Sequence, residues 1–387
     1  MSATDELLRH RERFPIFAER TYLATQCMGP FPRDGYRDLE EYLRSRHLHN
    51  RLLEQWLERF SEVTGLVERV LHAPPGSVAL RDSATACQAA IASCIEPTPA
   101  RNRIVVTALD FHSSLHLWSA QARRGFELVQ VPSLDGISVP ADAVAAAIDE
   151  RTAIVAVGLV TRNSALLDAA PVIARAKAMG ALTVLDAYQA IGVHPVDVQA
   201  LDADVVVGGH VKWLSGETGL GFMYVRPELS ERLIPAYPGW FGHSDFVQFV
   251  QVHSFVDGYS PMPGARRFQQ GTPGMLPIYG ARAGLKFVLE AGVERIAARN
   301  RELTERLYDG AESLGVPVLT PRAPRERAGG ICLGVPDPEG VVRALAERGI
   351  DVDQRRRMMV RVAPYVCNTV EECDHFLRVL GEVLAKR

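Results

Sequence analysis

Residues 184–224 read VLDAYQAIGVHPVDVQALDADVVVGGHVKWLSGETGLGFMY, and this stretch decides the expected fold of the 387-residue chain. Its first apolar segment ends at Asp186, and its second leads to Lys212. If both segments are strands of one parallel sheet, the carboxylate and the amine lie at the same edge, where open α/β sheets bind their ligands. The stretch therefore predicts a ligand site that contains an acid and an amine.

Short β-branched segments alternate with helical patterns from residue 77 to about residue 226. The expected strands are RIVVTA, ELVQVP, AIVAVGLV, ALTVLD, DVVVGG and GFMYVRP. Such nearly continuous apolar strands are typical of a mostly parallel sheet covered on both faces, which predicts an α/β protein. Upstream, apolar residues at helical spacing predict one long helix over 34–71. Downstream, the strands GICLGV, IDVD and MVRVA indicate a second, smaller α/β unit.

The composition argues against several classes of function. A net charge of -3 gives no basic surface for nucleic acid, and no apolar run reaches the roughly 18 residues of a membrane helix. The first residues lack the apolar core of a signal peptide, so a cytoplasmic location is expected. The six cysteines form no CxxC pairs, which suggests neither disulfides nor a metal site. A small molecule is the expected partner.

Lys212 and Asp186 could together hold pyridoxal 5'-phosphate (PLP). The apolar neighbours of Lys212 predict partial burial, which lowers the pKa of an amine and favours its reaction with an aldehyde. Asp186 could hold the protonated pyridine nitrogen of PLP. Taken singly, a loop lysine and a turn or cap aspartate would be ordinary structural residues. The pair is more specific than either residue.

A PLP site also needs a cradle for the phosphate group. Ser83, Ala84 and Thr85 open a predicted helix directly after a strand. Their backbone N–H groups and hydroxyls could bind a phosphate with the help of the helix dipole. Ser and Thr are also common helix caps, so this signal gains its weight from its place in the same sheet.

These motifs resemble the class V branch of the fold type I PLP-dependent enzymes, and kynureninase most of all. The resemblance spans roughly residues 20–370. It implies the PLP-dependent transferase fold, with a large seven-stranded sheet domain over 20–285 and a small C-terminal α/β domain over 286–387 that residues 1–19 complete. It also implies a homodimer with shared active sites.

Several residues take expected roles from this resemblance. Lys212 would be the Schiff-base lysine, and Asp186 would be the partner of the pyridine nitrogen. Gln189 falls where the family has a residue near the phenolic oxygen of the cofactor. Phe111, in the stretch LDFHSS, falls where an aromatic ring stacks on the cofactor. A core phenylalanine would be the ordinary interpretation of that position.

Two further stretches favour kynureninase among its relatives, and a third supplies a candidate for substrate binding. GWFGH (239–243) and RFQQGTP (267–273) imply phosphate contacts from Trp240 and Thr272, the latter across a dimer interface. VRVAP (360–364) matches the segment whose arginine binds the α-carboxylate of the substrate, and this makes Arg361 the candidate.

The chain also departs from the kynureninase pattern at three places. Val211 stands where kynureninases have a phosphate-binding tyrosine, and Ser114 stands where they have an aspartate. Residues 161–164, TRNS, replace an N-T/S-G signature. His210, next to Val211, could contact the phosphate instead.

The expected reaction begins with removal of the Cα proton of an L-α-amino acid, and three outcomes stay open. The first is kynureninase-like hydrolysis of the Cβ–Cγ bond. The others are C–S β-lyase chemistry on a cysteine S-conjugate and transamination. A cysteine desulfurase is not expected, because Cys332 lies within the strand GICLGV and the segment DQRRRMM has no cysteine. A nicotinamide-dependent oxidoreductase is a second class of function, but in this chain no GxGxxG motif follows the early strands. A third alternative is a catalytically silent scaffold that keeps the fold without the cofactor.

Overall fold

The computed structural model describes residues 3–47, 52–246, 258–355 and 359–386. The strands are β1 (Thr21–Tyr22), β2 (Val78–Arg81), β3 (Arg103–Thr107), β4 (Glu127–Val131), β5 (Thr152–Gly158), β6 (Leu182–Asp186), β7 (Val205–Gly209), β8 (Gly221–Val225), β9 (Ile331–Gly334), β10 (Ile350–Asp351), β11 (Asp353–Gln354) and β12 (Met359–Val362). The helices are α1 (Ala3–Leu8), α2 (Ile16–Glu19), α3 (Arg33–Ser45), α4 (Leu52–Val70), α5 (Ala84–Ser93), α6 (His112–Ala120), α7 (Ala141–Ala146), α8 (Ala169–Met179), α9 (Pro227–Ser230), α10 (Met275–Ala291), α11 (Val293–Ser313), α12 (Pro338–Ala346) and α13 (Val370–Leu384).

A seven-stranded sheet with the order β2-β8-β7-β6-β5-β3-β4 forms the centre of the molecule. Strand β8 is antiparallel to both of its neighbours, and the pairs from β7 to β4 are parallel. This confirms the expected mostly parallel sheet. The parallel strands β3, β5, β6 and β7 therefore end at one edge, where Asp186 closes β6 and Lys212 follows β7.

The C-terminal part contains a three-stranded antiparallel sheet, β11-β12-β9, with its own apolar core. The N-terminal segment joins both parts of the molecule. Strand β1 pairs with β10, and Leu23 belongs to the C-terminal core. Phe14 and Phe17 pack instead into the core of the large sheet. The boundary at residue 285 stays a prediction.

Some element boundaries differ from those expected. The helical pattern over 34–71 forms two helices, α3 and α4, rather than one, and residues 48–51 between them lie outside the described residues. The segment 236–277 contains the short 3₁₀ helices Trp240–Gly242 and Gly264–Phe268 among its loops. Within the described ranges, no helix is both long and apolar enough to span a membrane.

Candidate active site

A cavity of about 490 Å³ opens at the edge where the parallel strands end. Most of the residues expected at the site line this cavity: Ser83, Ala84, Thr85, Phe111, Asp186, Gln189, Lys212 and Arg361. They come from the N terminus of α5, the loop after β3, the ends of β6 and β7, and β12. The volume is that of a typical small-molecule site.

Lys212 lies in the loop after β7, where its side chain is largely shielded from solvent. Burial lowers the pKa of its amine to about 8, although the nearby Asp186 carboxylate acts in the opposite direction. The Nζ atom lies 4.5 Å from the ring centroid of Tyr188 and 5.6 Å from that of Phe111. The amine therefore lies among aromatic rings and is in part neutral near physiological pH.

The loop after β7 that carries Lys212, here called the lysine loop, is held in place by glycines. They allow other backbone segments to approach it closely. The N–H of Gly29 donates to the Val211 carbonyl at 2.7 Å. A Cβ atom at Gly29 would collide with the Lys212 carbonyl, and one at Gly284 would collide with the Leu214 carbonyl. The loop is thus fixed between the N-terminal segment and α10.

Asp186 is held by hydrogen bonds that leave its carboxylate at the cavity. Its Oδ1 accepts from the Tyr188 N–H at 2.9 Å. Its Oδ2 lies 3.4 Å from both the Ser114 hydroxyl and the Gln88 amide nitrogen. Burial raises the pKa of this carboxyl, whereas the Tyr188 N–H, the Lys212 charge and the Ser114 hydroxyl oppose that increase.

Gln88 and Ser114 belong to a buried network behind Asp186. The Gln88 amide nitrogen donates to the Ser114 hydroxyl at 2.9 Å, and the indole N–H of Trp118 donates to the Gln88 carbonyl oxygen at 2.8 Å. Ser114 thus contacts Asp186 through a neutral hydroxyl. Because each group in this network has a partner, the carboxylate is held in one orientation.

The N terminus of α5 has the geometry expected of an anion cradle. Ser83 is the N-cap residue, and its side chain accepts from the Ala86 N–H at 3.1 Å. The N–H groups of Ala84 and Thr85 lie in the first turn, where a helix leaves such donors without intrahelical partners. A phosphate could therefore accept from them and gain from the helix dipole.

Phe111 and Gln189 line the walls of the same cavity. Phe111 is the N-cap residue of α6 and is 59% exposed, so it is not the core residue of the ordinary interpretation. Gln189 is held in place by two bonds: its amide nitrogen donates to the Gln26 carbonyl at 3.1 Å, and its carbonyl oxygen accepts from the Trp213 indole at 3.3 Å. The exposed ring offers a stacking surface for a flat ligand.

Arg361 reaches the cavity from β12 and is paired with Asp353. The two residues face each other across β11 and β12, and the Arg361 Nε donates to the Asp353 carboxylate at 2.9 Å. Arg361 is only 4% exposed. The pair compensates a buried charge and fixes the guanidinium, whose remaining N–H groups can bind a second carboxylate.

Three of the expected residues do not line this cavity. His210 is fully buried: its Nδ1 contacts the Leu220 carbonyl at 3.1 Å, and its Nε2 has no hydrogen-bond partner within the described residues. Burial lowers its pKa to about 4. Trp240 packs against Phe241, and Thr272 lines a separate groove next to Asp82. The placement of His210 argues against the suggested phosphate contact within this chain.

Other cavity residues were not identified from the sequence. Asp110 is buried, and its carboxylate accepts from the N–H groups of Thr107 and Gly158 at 2.6 and 2.8 Å. Burial raises its pKa to about 6. Arg355 lines the cavity and lies 3.7 Å from the sulfur of Cys27. Asp110 could have been identified from the sequence, because it directly precedes Phe111 after an apolar strand.

The chain is similar in sequence and structure to known proteins. The family model described as aminotransferase class-V matches residues 38–376. This chain belongs to the class V aminotransferase family. An uncharacterized aminotransferase, YcbU, of Bacillus subtilis is 26% identical over 98% of this chain and 97% of its own length. A kynureninase of Xanthomonas axonopodis pv. citri is 28% identical over 94% of this chain and 92% of its own.

A solved structure supports the same fold. The apo cysteine desulfurase of Thermococcus onnurineus NA1 has a TM-score of 0.87 and 24% identity, with 98% of each chain covered. Class V aminotransferases are PLP-dependent enzymes, so PLP is the cofactor of this protein. The site fits it: an amine of lowered pKa, a buried carboxylate, an exposed ring and a helix N terminus line one cavity.

Proposed function

We propose that this class V enzyme cleaves the side chain of an L-α-amino acid at Cβ, by a kynureninase-like hydrolysis of the Cβ–Cγ bond. The observation that carries the proposal is the common cavity of Lys212, Asp186 and Arg361. An amine that can be neutral, a carboxylate and a guanidinium in one site are the groups that α-amino-acid chemistry with PLP requires.

Lys212 and Asp186 perform complementary tasks with the cofactor. PLP, when bound, withdraws electrons from the Cα atom of the amino acid and makes its proton acidic. Lys212 would hold the cofactor through its aldehyde, and its Nζ would be the acceptor of the Cα proton. Asp186 would hold the protonated pyridine nitrogen, and the exposed Phe111 ring would cover one face of the pyridine. The network of Gln88 and Ser114 keeps Asp186 oriented.

Arg361 fixes the substrate by its α-carboxylate. Its planar guanidinium suits a carboxylate, and Asp353 holds that guanidinium at the cavity wall. A substrate held at this end and at the cofactor directs its side chain into the remaining space. That space is bordered by Leu109, Val160 and Arg355, which accommodates an apolar side chain with a polar end.

The kynureninase-like reaction is supported by the GWFGH, RFQQGTP and VRVAP stretches and by the kynureninase that is 28% identical. Transamination is the second candidate. It is supported by the similarity to YcbU, named as an aminotransferase, over nearly the whole chain. The chain departs from kynureninases at Val211 and Ser114. For this reason C–S β-elimination is also a candidate reaction.

We further propose a homodimer in which Trp240 and Thr272 contact the phosphate in the active site of the partner subunit. Both lie outside the cavity of their own chain, yet the groove of Thr272 is bordered by Arg81 and Asp82, directly before the phosphate cradle. Tyr237 nearby is 73% exposed. An exposed cluster of aromatic residues is typical of a protein interface.

A cytoplasmic location is part of the same proposal. The cysteines Cys27, Cys87, Cys94, Cys332, Cys367 and Cys373 are all free thiols. Free thiols are typical of proteins from reducing compartments, where disulfides are rare. This supports the expectation from the sequence.

The proposed reaction is tested by identifying products. The PLP-loaded enzyme is incubated with kynurenine, 3-hydroxykynurenine, several cysteine S-conjugates, and amino acids with a 2-oxo acid, and products are identified by mass spectrometry. Alanine with an anthranilate supports the proposal. Pyruvate with a thiol, or a new amino acid formed from the oxo acid, would replace it. Lys212→Ala is the control for background chemistry.

A further inference from the structure

Tyr188 lies in the active-site cavity with a hydroxyl that has no role so far. It follows Asp186 by two residues and lines the cavity, and its ring centroid is 4.5 Å from the Lys212 amine. Within the described part of the chain, the hydroxyl has no hydrogen-bond partner. Burial raises the pKa of Tyr188 to about 12. At neutral pH the group is therefore a proton-bearing donor with its hydrogen bond still available.

The side chain of Tyr188 extends across the sheet edge from β6 to β7. Its ring packs directly on Gly209, the last residue of β7, and a Cβ atom at Gly209 would lie 2.5 Å from the hydroxyl oxygen. The ring can occupy this place only because position 209 has no side chain. The hydroxyl therefore lies over the end of β7, the strand that pairs with β8.

Gly221, the first residue of β8, connects this position with the phosphate cradle. Gly209 and Gly221 are directly paired in the antiparallel register, so their Cβ directions point to the same face, about 5 Å apart. A Cβ atom at Gly221 would lie 2.6 Å from the backbone nitrogen of Ala84. The Tyr188 hydroxyl and the cradle are therefore at most about 10 Å apart on one face, which brings both within reach of one phosphate group.

We propose that the Tyr188 hydroxyl is a ligand of the PLP phosphate and donates a hydrogen bond from the side opposite the N terminus of α5. The phosphate would then lie between the two donors, because the Tyr188 ring fills the place of a side chain at Gly209 and the Ser83–Ala84 backbone fills that place at Gly221. This inference rests on the PLP cofactor and is independent of the reaction that follows.

The test compares PLP with pyridoxal, which has the same ring and aldehyde but no phosphate. Both are titrated into apoprotein of the wild type and of Tyr188→Phe, and dissociation constants are measured by absorbance and equilibrium dialysis. Tyr188→Phe keeps the ring and removes only the hydroxyl. We expect PLP to bind about tenfold more weakly, the loss typical of a hydrogen bond to a charged group, while pyridoxal affinity changes by less than about twofold.

Gly209→Ala is the second variant, because its Cβ displaces the Tyr188 ring and leaves the hydroxyl chemically intact. The same selective loss for PLP is expected. Tyr36→Phe, at an exposed tyrosine outside the cavity, is the matched control and should change neither affinity. Thermal unfolding of each apoprotein verifies the fold. Unchanged PLP affinity in Tyr188→Phe, or an equal loss for PLP and pyridoxal, would overturn the proposal. A wild type that binds no PLP would overturn the assignment of the cofactor as well.

Discussion

Lys212 differs from the other lysines of the chain in its surroundings. Lys286 is paired with Glu62 at 2.8 Å, and Lys177 is paired with Asp202. The amine of Lys212 is instead buried among rings and backbone, and burial is the largest cause of its lowered pKa. Because only the neutral amine attacks an aldehyde, this burial makes Lys212 reactive close to neutral pH.

The pKa of Lys212 predicts how fast the apoprotein takes up PLP at different pH values. A group with a pKa of about 8 loses its proton as the pH rises through 8, so the uptake rate should increase across that range and then level off. Asp186→Asn removes a charge that raises this pKa, and should move the midpoint to lower pH. Stopped-flow absorbance gives both profiles. A midpoint near 10 in the wild type would contradict a buried amine.

Replacing Arg361 tests how the substrate is bound. Replacement by Lys removes the planar fork that matches a carboxylate and disturbs the pair with Asp353. We expect KM for the amino acid to rise about 10- to 150-fold, equivalent to about 1.5–3 kcal/mol, with PLP affinity nearly unchanged. Steady-state kinetics and a PLP titration measure the two quantities. A loss confined to kcat would indicate a different role.

At the scale of elements, the backbone of the N-terminal segment lies so close to the lysine loop that no side chain fits between them. Gly29→Ala places a Cβ atom against the Lys212 carbonyl. We expect a loss of about 1–3 kcal/mol in the free energy of unfolding, as for overpacking, together with weaker PLP binding. Denaturant unfolding and PLP titration measure both.

Gly65→Ala is the matched control for that substitution. Gly65 lies within α4, where an added Cβ atom would meet nothing within 4 Å. A helical Gly-to-Ala change should leave PLP binding unaltered and stabilise the protein slightly. If Gly29→Ala behaved in the same way, the close approach would not position the lysine loop.

The elements of the large sheet were largely predictable from the sequence because their strands are nearly continuous apolar runs. Asp186 and Lys212 could be placed at one edge by the same pattern. The break between α3 and α4 could not, because no glycine or proline marks it in the sequence. Gln88 and Tyr188 were also missed: a glutamine in a small-residue helix and a tyrosine after a strand gain meaning only from partners distant in sequence.

At the scale of the whole molecule, the positions of Trp240 and Thr272 outside the cavity predict a shared site. The protein should sediment as a dimer of the 42.5 kDa chain, and Thr272→Ala should weaken PLP binding. Thr272 could act on the site of the partner subunit or on the site of its own chain. Mixing Thr272→Ala with Lys212→Ala subunits distinguishes these two arrangements. If Thr272 acts on the partner, each mixed dimer contains one site with both residues intact.

The measurement for this experiment is PLP affinity in the mixed sample. Recovery of a fraction of sites with wild-type affinity is the expected result, with unmixed variants as controls. No recovery after verified subunit exchange would place Thr272 at the site of its own chain or outside both. Sequence alone suggested this arrangement only through resemblance, because an interface between two copies leaves no periodic pattern in one chain.

The covalent attachment of PLP tests the central claim most directly. The PLP-loaded protein is reduced with borohydride, digested, and mapped by mass spectrometry. The chain has only four lysines, Lys177, Lys212, Lys286 and Lys386, so the map is unambiguous. We predict that the reduced cofactor is found on the peptide containing Lys212 and that Lys212→Ala abolishes it together with the visible absorbance band. Label on another lysine, or a loaded wild type without any labelled peptide, would contradict the account.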